Sequence, residues 1–434
     1  MCRKREQKRS GLSVRRAAAR FVAAAAFCAL LLCPRPAYAV SVTDVDASAW
    51  YASAVGEVLE RGVMSLDENG AFLPEAAATR AVIAEAIWRA VGAPEASSSA
   101  DFTDLAPGAA RSAADWAAEA GVVAGDDAGR FRGGDSVTRQ ELAAMLWRFG
   151  GRTAPKRPLN YADAERVSEY ARDAAAWCRE NGLFAGVGSN RFDPQGLVTR
   201  AQTAAVLSRL LHLGEAELPP LTGCVICLDP GHCVTPLAGK GYRDPISPLS
   251  DETKPTHTTG TQGRHMTEEK LNLAVGLKLR EKLQSLGAAV FMTREVSNLT
   301  INGVERCEIP NRLRADVAVR IHADGNNDRS VHGVCVMTPT GNLLGTPAIK
   351  DESVRLGRLM VDAVAAKTGA KNRGIMPRSD LTGFNFSEIP TVLIEMGFMT
   401  NAEEDAKLET AAYQDRIVDG MAESLLLWYG GMGQ

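Results

Sequence analysis

Thr391-Val-Leu-Ile-Glu-Met-Gly-Phe398 is an apolar run with a single carboxylate set inside it. Its start, Thr391 to Ile394, reads as a buried strand, and the strand ends at Glu395. An unpaired carboxylate among such neighbours is costly, so Glu395 calls for a partner or a task. Four further short apolar runs share this character: Val225 to Leu228, Ala289 to Met292, Val317 to Ile321 and Val334 to Met337. Between and after them, residues 268 to 286, 352 to 368 and 412 to 429 have the apolar spacing of helices. Alternation of this kind predicts an α/β domain with a mainly parallel sheet flanked by helices, spanning residues 222–434.

In such sheets, chemistry collects where strands reach their carboxyl ends. Here the first strand ends Asp229-Pro-Gly-His232, the third ends Arg320-Ile-His322-Ala-Asp324, and the last ends at Glu395. Glu268 opens the helix after a long polar loop, residues 233 to 267. Two imidazoles and a carboxylate, with a further carboxylate nearby, are the parts of a catalytic zinc site with one open position.

The first half of the chain is repetitive. Gly62, Gly121 and Gly182 each lie ten residues before Phe72, Phe131 and Phe192. Each Phe lies seven before Thr79, Thr138 or Thr199, and ten residues beyond each Thr stands Arg89, Arg148 or Arg209. Each copy reads as a helix pair: a first helix ending at the Gly, a loop holding the Phe, and a second helix capped by the Thr. The copies run over about 44–95, 102–150 and 161–213, giving an all-α helical repeat domain over residues 40–213. Residues 214–221, with Pro219-Pro220, form a linker.

The repeats resemble the S-layer homology (SLH) module, whose copies have an early aspartate, an aromatic opening the first helix and a Thr-Arg-Ala-Glu-like second start. These positions read Asp46, Asp104 and Asp163; Trp50, Ala109 and Tyr170; and Thr-Arg-Ala-Val, Thr-Arg-Gln-Glu and Thr-Arg-Ala-Gln. The resemblance implies anchoring to an anionic secondary cell-wall polymer. Arg80, Arg139 and Arg200 at the helix starts suit that role, since helix N-terminal amides and a guanidinium favour anions; the alternative is that they only pair with neighbouring carboxylates and the domain is a spacer.

Residues 222 to 430 resemble the N-acetylmuramoyl-L-alanine amidases of the Amidase_3 type. The resemblance rests on Ile226 to His232, Glu268 to Leu273, Met292-Thr-Arg294, Arg306 with Asn311 and Arg312, Arg320 to Ala323, Asn372-Arg-Gly374 and Pro390 to Asn401. It implies zinc as cofactor, His232, Glu268 and His322 as its ligands, Glu395 as the catalytic carboxylate and peptidoglycan as substrate. Glu268 is taken over Glu269 because it lies four residues before Asn272. Asp324 departs from the family, which has Asn there.

The net charge of −3 conceals an uneven distribution. Residues 1–39 hold Arg3, Lys4, Arg5, Lys8, Arg9, Arg15, Arg16, Arg20 and Arg35 against Glu6 alone. The apolar run Phe21 to Cys33 and then Ala37-Tyr38-Ala39 complete a secretory signal peptide. Arg15-Arg16 leaves twin-arginine export open, whereas Leu31-Leu32-Cys33 is a poor lipidation site. Without this segment the chain is acidic, about −11, which argues against nonspecific nucleic-acid binding. It also has no apolar run long enough for a membrane span.

Six cysteines remain beyond the signal: Cys178, Cys224, Cys227, Cys233, Cys307 and Cys335. They are too sparse for a disulfide scaffold. Cys224 and Cys227, three apart on a strand, point to opposite faces and do not converge on an ion. His257 and His265, in a loop whose alternatives are a wall of the substrate groove or a lid, read as solvated; His332 is left unassigned, and His212 reads as structural. The whole predicts an exported cell-wall hydrolase held to the wall by its repeats. Two alternatives remain: a noncatalytic wall-binding protein, and a zinc peptidase acting on the stem peptide.

Overall fold

The computed structural model describes residues 42–214, 218–233, 243–255, 260–299, 301–340 and 347–432. The expected signal segment and His257 lie outside them. Two compact units emerge, one from the chain up to Ala216 and one from Glu217 onward, with Asn160–Ala162 and Gly186–Arg191 grouped with the second. Among the described residues, no helix is long and apolar enough to cross a membrane.

Each repeat forms the expected helix pair: α1 (Ala52–Glu60) with α2 (Arg80–Ala90), α3 (Ala109–Glu119) with α4 (Arg139–Phe149), and α5 (Arg172–Glu180) with α6 (Arg200–Leu211). Gly62, Gly121 and Gly182 stand just beyond the first helices at φ of 66°, 71° and 64°, a region open to glycine at little cost. Thr79, Thr138 and Thr199 cap the second helices by accepting from the amides of Val82, Glu141 and Gln202. Glu141 and Gln202 complete reciprocal capping boxes, which Val82 has no side chain to make. Phe72, Phe131 and Phe192 are fully buried.

The repeat aspartates need one correction. Asp104 accepts from the amides of Phe131 and Arg132, both at 2.7 Å, and Asp163 from those of Phe192 and Asp193 at 2.7 and 2.8 Å. In the first repeat this place belongs to Asp44, which accepts from Phe72 and Leu73 at 2.8 and 2.7 Å. Asp46 instead accepts from the amide and hydroxyl of Ser48. The separation from aspartate to Phe varies between 27, 28 and 29 residues, so spacing alone could not choose between two acids two apart.

The second unit is a six-stranded sheet in the order β4-β1-β5-β8-β6-β7. Its strands are β1 (Val225–Pro230), β4 (Ala289–Met292), β5 (Val317–Asp324), β6 (Val334–Pro339), β7 (Asn372–Arg378) and β8 (Thr391–Phe398), with a separate hairpin of β2 (Arg243–Ser247) and β3 (Ser250–Pro255). All neighbours in the sheet run parallel except β6 and β8. Along β5, Val317, Val319, Ile321 and Ala323 are buried on one face, while Arg320, His322 and Asp324 alternate with them on the other. The apolar face is covered by α7 (Glu268–Ser285), α9 (Pro347–Thr368) and α12 (Ala411–Gly430), through Leu271, Val275, Met360, Val364, Met421 and Trp428. Each such side chain, fully buried, contributes roughly 1.5–3 kcal/mol.

The opposite face has smaller apolar clusters, Val225 and Cys227 with Leu313, and Met337 and Leu393 with Phe384. These lie under α8 (Glu305–Leu313) and α10 (Thr382–Asn385). Between β8 and α12 lies the short helix α11 (Ala402–Leu408). Cys224 and Cys227 fall in different clusters, on opposite faces as expected. No disulfide joins the six described cysteines.

Strands β1, β5 and β8 run further than their apolar cores, through Pro230, Asp324 and Phe398. Their polar residues still join the ladder because only their side chains leave the core face. The sequence reading missed β7, whose Asn, Gly and Pro weaken its strand character. It also missed α8, which contains Pro310.

Candidate functional site

The predicted metal ligands meet at the carboxyl ends of the central strands. His232 follows β1, Glu268 is the first residue of α7, and His322 lies on β5. One ligand atom from each falls within 4.8 Å of the others. Glu268 Oε1 is 3.0 Å from both His232 Nε2 and His322 Nδ1. The two imidazoles stand edge to face, with centroids 4.9 Å apart.

Glu268 is braced from several sides. Its Oε1 accepts from Asn272 Nδ2 and the Ala323 amide, each at 3.2 Å, and its Oε2 from the Thr261 amide at 2.7 Å. Asn272 lies one helical turn on and also donates to the Gly231 carbonyl at 3.3 Å. Glu269 accepts from the Thr267 hydroxyl instead. Burial opposes ionisation of Glu268, but hydrogen bonds with His232 and His322 outweigh it and hold the carboxyl well below its ordinary value. Burial pushes His322 down to about 4, only partly offset by Glu268, which keeps its imidazole neutral, as a metal ligand requires.

Glu395 on β8 pairs in register with His322 on β5 and is 7% exposed. Burial, with Glu268 and Asp324 adding like charge, raises its carboxyl well above the ordinary value. His322 Nε2 and Glu395 Oε2 are buried without a hydrogen-bond partner among the described residues. Two orphaned polar atoms beside a cluster of two nitrogens and a carboxylate fit a bound zinc ion and its substrate. Asp324 is half-buried and accepts from the Gly325 amide at 2.7 Å.

The other histidines lie elsewhere. His265 is exposed, His332 is exposed and bonded to the Ser330 carbonyl, and His212 pairs with Glu57. A group of buried charges went unassigned in the sequence reading: Asp229 binds Arg306, Arg320 and Thr293. The available signal was the alternation of β5, which puts Arg320 on the same face as His322.

In the repeats, the three arginines form a cycle. Arg80 donates to the Phe131 and Ala124 carbonyls of the second repeat, and Arg139 to those of Phe192 and Ala185 in the third. Arg200 returns to Phe72 and Ser65 of the first. Each guanidinium also lies 4.8–5.4 Å from the ring centroid of the Phe it serves. Beside Thr79, a groove of about 810 Å³ is lined by Asp104, Arg130, Arg132 and Asp135. Trp50 and Tyr170 are exposed, and Ala109 begins α3.

Residues 226–426 match the family model described as N-acetylmuramoyl-L-alanine amidase. Residues 43–81, 101–143 and 160–204 match that of the S-layer homology domain. N-acetylmuramoyl-L-alanine amidase Rv3717 of Mycobacterium tuberculosis is 26% identical over 234 residues, covering 53% of this chain and 96% of its own length. N-acetylmuramoyl-L-alanine amidase LytC of Bacillus subtilis is 26% identical over 211 residues, 48% of this chain and 36% of LytC. The crystal structure of the amidase Ami1 from Mycobacterium smegmatis is 28% identical with a TM-score of 0.44, covering 48% of this chain and 97% of that one. The chain carries an N-acetylmuramoyl-L-alanine amidase family domain over residues 226–426, preceded by three S-layer homology domains.

Proposed function

We propose that this protein is an exported cell-wall amidase that cleaves the bond between the lactyl group of N-acetylmuramic acid and the first L-alanine of the stem peptide. Residues 222–434 form the zinc-dependent catalytic part, residues 40–213 hold it to an anionic wall polymer, and residues 1–39 direct export. The observation that supports this reading best is the convergence of His232, Glu268 and His322 beside the buried Glu395.

Zinc held by the triad would lower the pKa of a water toward about 7 and polarise the scissile carbonyl. His232, Glu268 and His322 would hold it, with the His322 imidazole kept neutral by burial and Glu268 contributing one negative charge. Glu395 acts as general base: its raised carboxyl pKa makes it a stronger proton acceptor than an exposed carboxylate. It then returns the proton to the leaving amine of L-alanine. The repeats raise the enzyme's effective concentration at its polymeric substrate, with the groove beside Thr79, Arg130 and Arg132 offered to the anionic polymer.

Incubating the purified protein with zinc and peptidoglycan tests the reading, with separate assays for new L-alanine amino termini, internal stem-peptide amino termini and reducing sugar ends. L-alanine termini alone, lost in Glu395→Gln, are expected. Internal termini would mean a zinc peptidase, and no product despite bound zinc a noncatalytic wall-binding protein. Sedimentation with wall polymer, competed by excess free polymer, tests the anchor.

A further inference from the structure

Two buried arginines outside the metal triad converge on the backbone that carries it. Arg294, just beyond β4, is 1% exposed. Its Nε donates to the Pro230 carbonyl at 2.8 Å, and its Nη2 donates to the carbonyls of Gly231 at 2.9 Å and Glu269 at 2.7 Å. Gly231 precedes the ligand His232, and Glu269 follows the ligand Glu268. One planar guanidinium therefore ties together the two segments from which these ligands project. Arg306 on α8, 6% exposed, adds a bond from Nη2 to the His232 carbonyl and one from Nη1 to that of Pro230, each at 2.9 Å.

The third ligand strand is joined to the same assembly. Asp229 binds Arg306 through one oxygen and Arg320 through the other, and Arg320 lies two residues before His322 on β5. His232 itself has φ of 60°. A non-glycine residue persists in that left-handed region where its surroundings over-determine it, and the bonds to the carbonyls of residues 230 to 232 do so.

We propose that Arg294, backed by Arg306, is a positioning residue that sets the separation of His232 from Glu268 and so the affinity and geometry of the metal site. Lysine cannot reproduce this arrangement, because its single ammonium does not span three carbonyls in a fixed plane. The inference rests on the zinc reading above. Partners that orient metal ligands typically change metal affinity 10–100-fold when replaced.

The test is zinc affinity of the full chain, measured by competition with a chromophoric chelator, together with the visible spectrum of the cobalt(II)-substituted protein and the melting temperature of the metal-free form. Four proteins are compared: wild type, Arg294→Lys, Arg306→Lys and Val364→Ala, the last a core truncation on the opposite face of the sheet. Arg294→Lys is expected to lose about 10–100-fold in zinc affinity and to shift the cobalt spectrum. Val364→Ala is expected to melt earlier but keep both metal properties. A folded Arg294→Lys that binds zinc as wild type does, or loses no more affinity than Val364→Ala, overturns the inference while leaving the zinc reading intact. If Arg294→Lys does not fold, Arg306→Lys decides by the same criteria, and failure of both to fold assigns the arginines to the fold and overturns it. A wild-type protein that takes up no zinc removes the zinc reading and this inference with it.

Discussion

His322 on β5 stands directly beside Glu395 on β8, their Cα positions paired across a parallel ladder. Both side chains therefore leave the same face of the sheet. This single register places an imidazole ligand and a buried carboxylate on one surface, with Glu268 reaching in from the first turn of α7.

Because Glu395 has no role among the three converging ligand atoms, Glu395→Gln should keep zinc at wild-type stoichiometry and lose turnover by at least about 100-fold, the range of a general base. Metal analysis alongside release of L-alanine amino termini checks this. Loss of the metal would instead make Glu395 a ligand.

Glu268 accepts contacts from both imidazoles and three further donors. Glu268→Ala should abolish stoichiometric zinc binding, and a chelator should silence the wild-type enzyme until zinc is restored. Activity that survives complete chelation would contradict the metal reading.

Gly231 packs against the ring of His322 so closely that an added Cβ would lie 2.2 Å from Cε1. Gly231→Ala should therefore displace His322 and weaken zinc binding, at a stability loss of about 1–3 kcal/mol from overpacking. Chelator competition and thermal unfolding measure the two effects separately. Unchanged zinc affinity would show that the loop can yield.

The arginine cycle predicts a graded stability series in the repeats. Arg139 is buried, whereas Arg80 and Arg200 are half-buried. Arg139→Lys should cost most, about 2–3 kcal/mol, since charge-assisted bonds to carbonyls are worth about 1.5–3 kcal/mol each. Calorimetry of the three single variants gives the order, and equal losses would argue against burial as the cause.

Asp229 supplies a pH prediction. Burial opposes its ionisation, but Arg306 and Arg320 hold its carboxyl well below the usual carboxylate range. A carboxyl lowered on folding stabilises the protein above its unfolded value of about 3.9, and that contribution is lost as pH falls below it. Asp229→Asn should lower stability by about 3 kcal/mol near neutrality, and its deficit against wild type should shrink as pH falls below about 4. Denaturant titrations across that window measure the deficit, and a pH-independent deficit would mean that packing, not charge, sets it.

Much of this was legible in the sequence because it is short-range. Glycine at a helix end, threonine at a cap and Phe in the intervening loop recur at fixed intervals, and each acts within a few residues of itself. Strand cores were visible as apolar runs, and Glu268 was distinguished from Glu269 by Asn272 one helical turn away. What only the tertiary structure decided is long-range. The antiparallel pairing of β6 with β8, the choice of Asp44 over Asp46, and the path from Arg200 back to Phe72 depend on segments far apart in the chain. The same holds for Arg294, whose residue type announced a charge but not the distant carbonyls of Pro230, Gly231 and Glu269 that it would bind. A guanidinium's partners are fixed by which backbone the fold brings within about 3 Å, and no local pattern encodes that distance.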